Sequence, residues 1–305
     1  MAQDKRTAKG RKKGIGKVTI ARRAVQLVVL ALFLAPTLIA GWGLLGSYQG
    51  DGSTFATPSQ LPFFGTLSST TIGGFQLLDT FALLQVTLAS RSFDITWLLY
   101  ALPLLVLYTL VRGRAFCGWV CPMNLLLELV DWLRGKLKIK VKEQALPRHI
   151  KLYVAAGVLV LSAIFCVPVF ETFSPISFIN KGLIFGSTAG LVTFVAIIVI
   201  ELFWGHRVWC RSLCPLGGFY EVLGKVGQVN IAIDHDACIG CNQCKRACIC
   251  DPVILDAVVA GEDGIVRAGD CMLCGKCIDV CPKDALHFKL GRGAKPEAAA
   301  DGSRA

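Results

Sequence analysis

Charged side chains are scarce in this chain of 305 residues: Asp, Glu, Lys and Arg make up 17% of it, against 54% hydrophobic residues. Average soluble proteins carry about 25% charged residues. This shortage, with a mean hydropathy of +0.58, argues against an ordinary soluble protein and predicts a membrane protein with a modest soluble part. The sequence also has no C-x-x-C-H run, so covalent c-type haem is not indicated.

The net charge of +11 would fit a nucleic-acid partner, but its distribution argues against one. Residues 230–305 hold nine Lys/Arg and 11 Asp/Glu, a net charge of −2. The positive charge lies instead beside apolar segments, where Lys and Arg set the orientation of a membrane protein. We therefore expect contact with the lipid bilayer and no binding of nucleic acid.

Cysteine is abundant, and its spacing is the strongest signal in the chain. Two runs, at residues 238–248 and 271–281, each read C-x2-C-x2-C-x3-C. Bacterial two-cluster ferredoxins hold [4Fe–4S] clusters with this run, whereas structural zinc sites use two close pairs of ligands. The sequence therefore predicts two [4Fe–4S] clusters. Because eight of the fourteen cysteines follow this spacing, a reducing cytoplasm is favoured over a disulfide scaffold.

The spacing also predicts which cysteines share a cluster. The first three of each run wrap one cluster, and the fourth lies on the next helical turn and points at the other cluster. The expected sets are Cys238, Cys241, Cys244 and Cys281 for one cluster, and Cys271, Cys274, Cys277 and Cys248 for the second. Pro282 follows Cys281 directly, but Ile249-Cys250-Asp251-Pro252 follows Cys248, so Cys250 remains an alternative to Cys248.

Four apolar stretches are long enough to be membrane spans. They cover residues 24–47, 95–111, 151 or 152 to 170, and 187–204, and Gly74–Ser90 is expected to form an interfacial or re-entrant helix. Lys and Arg alternate between the segments that flank the spans: residues 1–23 hold nine, residues 48–94 one, residues 112–151 nine and residues 171–186 one. The C-terminal part after the fourth span has charges of both signs. The positive-inside rule then puts both termini, and the cysteine-rich part, in the cytoplasm of a bacterial inner-membrane protein.

The predicted fold class is an α-helical membrane protein with four transmembrane helices and a C-terminal α+β ferredoxin domain with two [4Fe–4S] clusters. The domains are expected at 1–23 (basic disordered tail), 24–226 (membrane domain), 227–290 (ferredoxin domain) and 291–305 (disordered tail). Within the ferredoxin domain, Val229–Ile233 and His287–Leu290 are expected to be strands, and each cysteine loop to open a short helix.

An internal repeat follows the second and fourth predicted spans. Residues 114–122 read R-A-F-C-G-W-V-C-P, and residues 207–215 read R-V-W-C-R-S-L-C-P, so both contain C-x3-C-P. Cysteines four residues apart share one helix face and could converge on a partner pair. The four cysteines could hold a metal or cluster, form redox-active pairs, or simply pack. They are Cys117, Cys121, Cys210 and Cys214.

With these features together, residues 20–290 resemble the NapH-type quinol dehydrogenase ferredoxin subunit of periplasmic nitrate reductase systems, and the related MauN-type protein of methylamine utilisation. Ser174-Pro175-Ile176-Ser177 strengthens the resemblance. The sequence departs from the family at Cys248, where the family has Cys-Pro followed by Glu-Pro. The resemblance implies oxidation of membrane quinol and transfer of electrons towards a periplasmic reductase, such as nitrate reductase, through an iron–sulfur or cytochrome c partner subunit.

Two other families share parts of this layout. A CcoG-type assembly or metal-reducing factor has the ferredoxin and C-x3-C-P features, but also a C-terminal β-domain, whereas this chain ends about two dozen residues after Cys281. A regulator resembling the core of NosR would be expected to carry a large periplasmic flavin-binding segment. We therefore favour the electron-transfer component of a quinol dehydrogenase, and leave open whether the chain is itself an enzyme.

Quinol oxidation releases protons, so the site needs a titratable acceptor beside an apolar slot. Glu201 lies within the fourth predicted span, and an ionisable residue there is a functional candidate by default. Alternatively, Glu201 pairs with Arg207 or Arg114 and only anchors the helix. His206 and His149, at the inner membrane edge, are the other candidates because histidine titrates near neutral pH.

Overall fold

A computed structural model describes residues 16–39, 63–139, 141, 146–147, 149–179 and 190–291. Most of the predicted basic tail, the end of the first predicted span and nearly all of the predicted C-terminal tail therefore lie outside the described residues.

Helices dominate the described part of the chain. In chain order they are α1 (Lys17–Ile39), α2 (Thr80–Ser90), α3 (Ile95–Val111), α4 (Ala115–Trp119), α5 (Pro122–Leu137), α6 (Ile150–Phe165), α7 (Val169–Phe173), α8 (Pro175–Ser177), α9 (Leu191–Phe203), α10 (Pro215–Gly224), α11 (Gln243–Ala247), α12 (Asp256–Ala260) and α13 (Lys276–Asp279). A π-helical turn covers Trp209–Leu213, and a 3-10 turn covers Pro252–Leu255.

Two small antiparallel sheets accompany the helices. β1 (Phe63–Gly65), β2 (Ser69–Ile72) and β3 (Phe75–Leu78) form a three-stranded meander, which the sequence analysis did not predict. β4 (Val229–Ile233) pairs with β5 (Leu286–Leu290), with Val229 opposite Leu290 and Ile233 opposite Leu286. Both predicted strands of the C-terminal domain are thus present, and the second begins one residue earlier than expected.

The stretch Gly74–Ser90 forms a strand and a helix instead of the single helix expected from the sequence. Strand β3 occupies the start of that stretch, and α2 begins only after Asp79. The Asp79 carboxylate accepts hydrogen bonds from the N–H groups of Phe81 (3.0 Å) and Ala82 (3.2 Å). Asp79 is therefore the N-cap of α2 rather than a charge interrupting a longer helix.

One described helix, over Lys17–Pro36, is long and apolar enough to cross a membrane. Four further apolar helices, α2, α3, α6 and α9, have 11 to 17 residues. The second predicted span coincides with α3, whereas α6 ends before Cys166, which adopts a left-handed backbone with φ 55°. The third predicted span, which ends at residue 170, is therefore longer than the helix found there. The four-span topology stays a prediction.

The chain groups into two compact units by the contacts of its backbone, and the predicted domains stay a prediction. The first unit consists of Met1–Arg22, Tyr108–Gly118 and Tyr220–Ala305, and the second of Arg23–Leu107 and Trp119–Phe219. In the first unit, the rings of Tyr108, Phe116 and Tyr220 lie 5.3–5.6 Å apart. In the second, Phe81 packs against Phe170 and Phe219.

The first helix begins inside the segment that was expected to be a disordered tail. The N–H groups of Val18 and Thr19 donate to the carboxylate of Asp279, at 3.2 and 2.8 Å. The hydroxyl of Thr19 donates to the same carboxylate at 2.6 Å. This contact, which is distant in sequence, satisfies donors at the helix start and lets α1 begin at Lys17.

Candidate functional site

Four cysteines line one small cavity in the first unit: Cys238, Cys241, Cys244 and Cys281. The wall of the cavity also includes Ile233 at the end of β4 and Leu286 at the start of β5. The strand pair therefore brings the start and the end of the ferredoxin domain together. These four cysteines are the first ligand set expected from the spacing, and their ligation of a cluster stays a prediction.

The two cysteine loops share an unusual backbone. The residue before the second cysteine of each run has positive φ, at Gly240 (64°) and Leu273 (50°). The residue after that cysteine does too, at Asn242 (56°) and Gly275 (70°). Left-handed residues next to right-handed ones turn successive N–H groups to one side, forming the concave nests found at iron–sulfur sites. Both loops are thus shaped to hold an anionic cluster.

Gly275 is needed for a second reason. A Cβ atom at this position would lie 2.2 Å from Cγ1 of Val18 in α1, closer than two carbons can approach. The start of α1 therefore packs directly against the second cysteine loop.

The second group of cysteines is more deeply buried than the first. Cys271, Cys274 and Cys277 are each at most 9% exposed. Burial, followed by the nearby sulfurs of Cys250 and Cys271, raises the pKa of Cys274 to about 12. A raised pKa means that these thiols are costly to ionise. Cluster ligands must be thiolates, so the bound metal would have to stabilise the ionised form.

Cys250, which sequence reasoning kept as an alternative, lies within this second group. The hydrogen bond from Cys248 lowers the pKa of Cys250 to about 7; burial opposes this, and the charge of Arg114 and the N–H of Met272 assist it. The charge of Cys274 raises the pKa of Cys248, and the charge of Cys250 raises the pKa of Cys274. The structure thus gathers five cysteines at the second site, one more than a cubane uses.

The residues present fit iron–sulfur clusters. Thiols are the donors, and among the described residues no group of three or more His, Cys, Asp or Glu side chains has the geometry to hold one metal ion. Each thiolate of a [4Fe–4S] cubane binds a different iron, so four sulfurs stand further apart than around a single ion. The thiol donors, the nested N–H groups and the cavity all suit a cubane.

Two buried arginines from the segment after α3 hold the second cysteine loop. Arg112 donates to the carbonyl oxygen of Val266 at 2.9 Å and also to that of Ala268. Arg114 donates to the carboxylate of Asp270 at 2.9 Å and to its carbonyl at 3.0 Å. Because Asp270 precedes Cys271 directly, these bonds fix the start of the loop.

The first C-x3-C-P motif packs on the same loop. A Cβ atom at Gly118 would lie 2.3 Å from the carbonyl oxygen of Met272, so the two backbones are in direct contact. Cys117, next to Gly118, is 9% exposed. The repeat predicts that this motif faces the second motif, whereas its contact with the ferredoxin loop does not follow from any sequence pattern.

The second motif and the end of the first lie in the second unit. Cys121, Cys210 and Cys214 are all buried. Burial raises the pKa of Cys210 well above its usual value, and the sulfurs of Cys214 and Cys121 raise it further. The sulfurs of both motifs thus act on one titration, and the convergence of Cys117, Cys121, Cys210 and Cys214 on a metal or cluster stays a prediction.

Arg207, the first residue of the second motif, is held by α5. Its guanidinium lies 2.9 Å from the Asp131 carboxylate and donates to the side-chain oxygen of Asn124 at 2.7 Å. Although burial raises it, the hydrogen bond from His206 and the charges of Arg207 and Arg134 bring the pKa of Asp131 down to about 2. Asp131 thus stays ionised and fixes the second motif to α5.

Glu201 is buried at 2% exposure and holds the backbone of the second motif. Its two carboxylate oxygens accept hydrogen bonds from the N–H groups of Arg207 (2.6 Å) and Trp209 (2.8 Å). This arrangement favours the anchoring interpretation, although the bonds come from the main chain rather than from an arginine side chain. His206 is 3.4 Å from Asp131, and His149 precedes α6 as its N-cap residue.

Comparisons with known proteins agree with the cysteine patterns. A 4Fe-4S binding domain model matches residues 93–140 and 187–233, which contain the two C-x3-C-P motifs. A second 4Fe-4S binding domain model matches residues 265–287, which contain the second cysteine run.

Curated relatives match over nearly the whole chain. The methylamine utilization ferredoxin-type protein MauN of Methylorubrum extorquens is 32% identical over 90% of this chain and 90% of its own length. The ferredoxin-type protein NapH of Escherichia coli is 32% identical over 90% of this chain and 91% of its own. NapH of Haemophilus influenzae is 28% identical over 88% of both chains. No solved protein structure gives a significant match.

Proposed function

The chain belongs to the NapH and MauN family of ferredoxin-type electron-transfer proteins, and from this membership we propose that it is a membrane-bound subunit that oxidises quinol. In this proposal the electrons pass through two [4Fe–4S] clusters towards a periplasmic reductase, by way of an iron–sulfur or cytochrome c partner. The four-span topology with a cytoplasmic ferredoxin domain is part of the proposal, supported by the alternation of basic segments.

The observation that carries the proposal is the contact between the first C-x3-C-P motif and the second cysteine loop. Arg114 binds Asp270, and Gly118 packs on Met272. The motif follows directly after the apolar helix α3, so a segment at the predicted membrane edge is in contact with a cluster loop. A subunit that takes electrons from a membrane substrate needs such a connection.

Arg112 and Arg114 favour negative charge at the second cysteine loop. Bound [4Fe–4S] clusters supply one-electron chemistry at potentials that the protein tunes through burial, charge and hydrogen bonds to sulfur. Although burial raises the pKa of Cys271, the charges of Arg112 and Arg114 lower it. The same two guanidinium groups favour the extra negative charge that arrives on reduction.

In this proposal the two cysteine groups pass electrons from one to the other. Burial raises the pKa of Cys277 in the second group, the sulfurs of Cys274 and Cys271 raise it further, and so does the sulfur of Cys244 from the first group. This influence across the two groups supports a path from the loop held by Arg114 to the site lined by Cys238, Cys241, Cys244 and Cys281. The name of the MauN relative supports methylamine utilisation as one pathway for such a subunit.

Anaerobic reduction by quinol tests this function. The full chain, purified without oxygen and with its clusters oxidised, should lose visible absorbance and gain a paramagnetic signal on addition of excess menaquinol or ubiquinol. Dithionite, a soluble reductant, serves as the control for clusters that can be reduced. Clusters that dithionite reduces but neither quinol does would contradict the proposed function.

A further inference from the structure

We propose that a slot between α1 and α5 binds the quinol head group, and that Glu128 accepts a proton from it. This inference rests on the proposed function, because it names the place on the chain where the quinol of that function would react. Glu128, which faces a cavity of suitable size, takes over the role of proton acceptor for which Glu201 is the candidate from sequence.

The slot is large enough for a quinol ring and the first part of its tail. Its volume is about 470 Å³, within the range of about 300–1,000 Å³ for small-molecule sites. Its walls are mainly apolar and come from α1, α5, α9 and the segment after α8. The lining residues are Arg23, Leu30, Pro122, Leu125, Leu126, Glu128, Leu129, Trp132, Ile179 and Phe194.

One ion pair stands among these apolar walls. Nε of Arg23 lies 2.8 Å from Oε2 of Glu128. The Glu128 side chain is 4% exposed, whereas that of Arg23 is 38% exposed. A buried carboxylate beside a cation gives a quinol hydroxyl a proton acceptor, and the guanidinium can donate to the ring oxygen.

The slot opens on a surface suited to lipid. Leu129 and Trp132, which line it, are 57% and 55% exposed, and Leu133 and Leu137 on the same helix are also exposed. The ammonium group of Lys136 lies 4.3 Å from the centre of the Trp132 ring. A helix with an apolar face, an interfacial Trp and basic residues is typical of the membrane–water boundary. A quinol tail could therefore stay in lipid while its ring enters the slot.

The slot adjoins the first C-x3-C-P motif. Pro122 lines it, and the preceding residue, Cys121, accepts a hydrogen bond at its carbonyl oxygen from Gln26 of α1, at 3.4 Å. Gln26 and Arg23 are three residues apart on α1 and bind Cys121 and Glu128 of the neighbouring segment. The same helix pair thus forms the slot and holds a cysteine of the motif.

Glu201 is less suited to this task than Glu128. Both oxygens of Glu201 already accept main-chain N–H groups, and protonation would weaken the bonds that hold the second motif. Glu128 instead lines a cavity into which a substrate can enter.

Oxidation of a quinol to a quinone releases two protons and two electrons. Glu128 takes one proton, and the second passes to water at the membrane–water boundary beside the slot, where the Arg23 side chain is 38% exposed. The two electrons would pass to two oxidised [4Fe–4S] clusters, one to each.

Blocking the slot without disturbing the core provides the test. Leu129→Trp places a larger side chain at an exposed position of the slot, and Leu133→Trp makes the same change on α5 outside it. Reduction of the clusters by menaquinol should be slower by about tenfold or more in Leu129→Trp and unchanged in Leu133→Trp. Dithionite should reduce both variants at the wild-type rate. Equal menaquinol rates in the two variants would overturn the slot.

The proton acceptor is tested by Glu128→Gln, which keeps the shape of the side chain. Loss of a general base typically costs about 100-fold or more in rate, so menaquinol should reduce this variant far more slowly, with a changed pH profile. A wild-type rate and pH profile would reject Glu128.

A binding measurement separates this proposal from the proposed function. A photoreactive short-chain menaquinone analogue should label α5, and excess unlabelled menaquinone should prevent it. Labelling of α5 without reduction of wild-type clusters would contradict the proposed function alone. Labelling elsewhere, or labelling that unlabelled menaquinone does not prevent, would overturn the slot and indicate simple exposure to lipid.

Discussion

Cys248 and Cys250 are two candidates for one place in the second cluster site. The spacing C-x2-C-x2-C-x3-C selects Cys248. Cys250, two residues later, is 4% exposed and receives the Met272 N–H, so its sulfur also faces the second loop. The two sulfurs share a hydrogen bond, which means that whichever residue binds iron, the other is positioned beside it.

Single exchanges to serine identify the ligand. We expect Cys248→Ser to lose the paramagnetic signal of one reduced cluster and about half of the iron, because the cubane loses a thiolate. Cys250→Ser should keep both clusters, with a small shift in the potential of the second because a nearby sulfur has become a hydroxyl. EPR spectra and iron analysis of anaerobically purified variants give the answer, and the reverse pattern would assign Cys250 as the ligand.

Which residues could be recognised from the sequence depended on whether their role follows from local spacing. The eight cysteines of the two C-x2-C-x2-C-x3-C runs and the repeat of Cys117 and Cys210 could be found in this way. Asp131 and Asp270, which hold the arginines of the two repeats, could not, because each pairing joins segments 76 or more residues apart.

Secondary structure could be predicted where the hydrophobic pattern was long or simple. The apolar run of α3 and the strand Val229–Ile233 have the expected bounds. The β1–β3 meander was missed because its strands have only three or four residues in a segment rich in turn-forming residues. The start of α1 was missed because its cap, Asp279, lies 260 residues away in sequence.

The orientation of the helices is open to a direct test. If basic segments stay in the cytoplasm, reporter fusions after residues 60 and 180 should report the periplasm. A fusion after residue 140 should report the cytoplasm, because nine Lys/Arg lie in residues 112–151. A fusion after residue 300 should also report the cytoplasm, because the N-terminal segment, with nine Lys/Arg in residues 1–23, stays inside and four spans bring the chain back to the same side. A periplasmic signal after residue 300 would place the cysteine loops outside and contradict the charge argument.

Among the described residues, two segments from earlier in the chain contact the C-terminal cysteine-rich part. Its unit includes Met1–Arg22 and Tyr108–Gly118 as well as Tyr220–Ala305. Both inserted segments act on the second cysteine loop, through Thr19 with Asp279 and through Arg114 with Asp270. Composition along the chain cannot reveal such contacts, because they join segments more than 150 residues apart.

The two predicted clusters of the ferredoxin domain underlie every proposed step of electron transfer, and metal analysis of the anaerobically purified full chain tests them most directly. A variant with Ser at 117, 121, 210 and 214 removes any contribution from the C-x3-C-P motifs. That variant should still contain about eight iron and eight sulfide per chain, as two cubanes require. Zinc without iron, or no more than about four iron, would contradict the account.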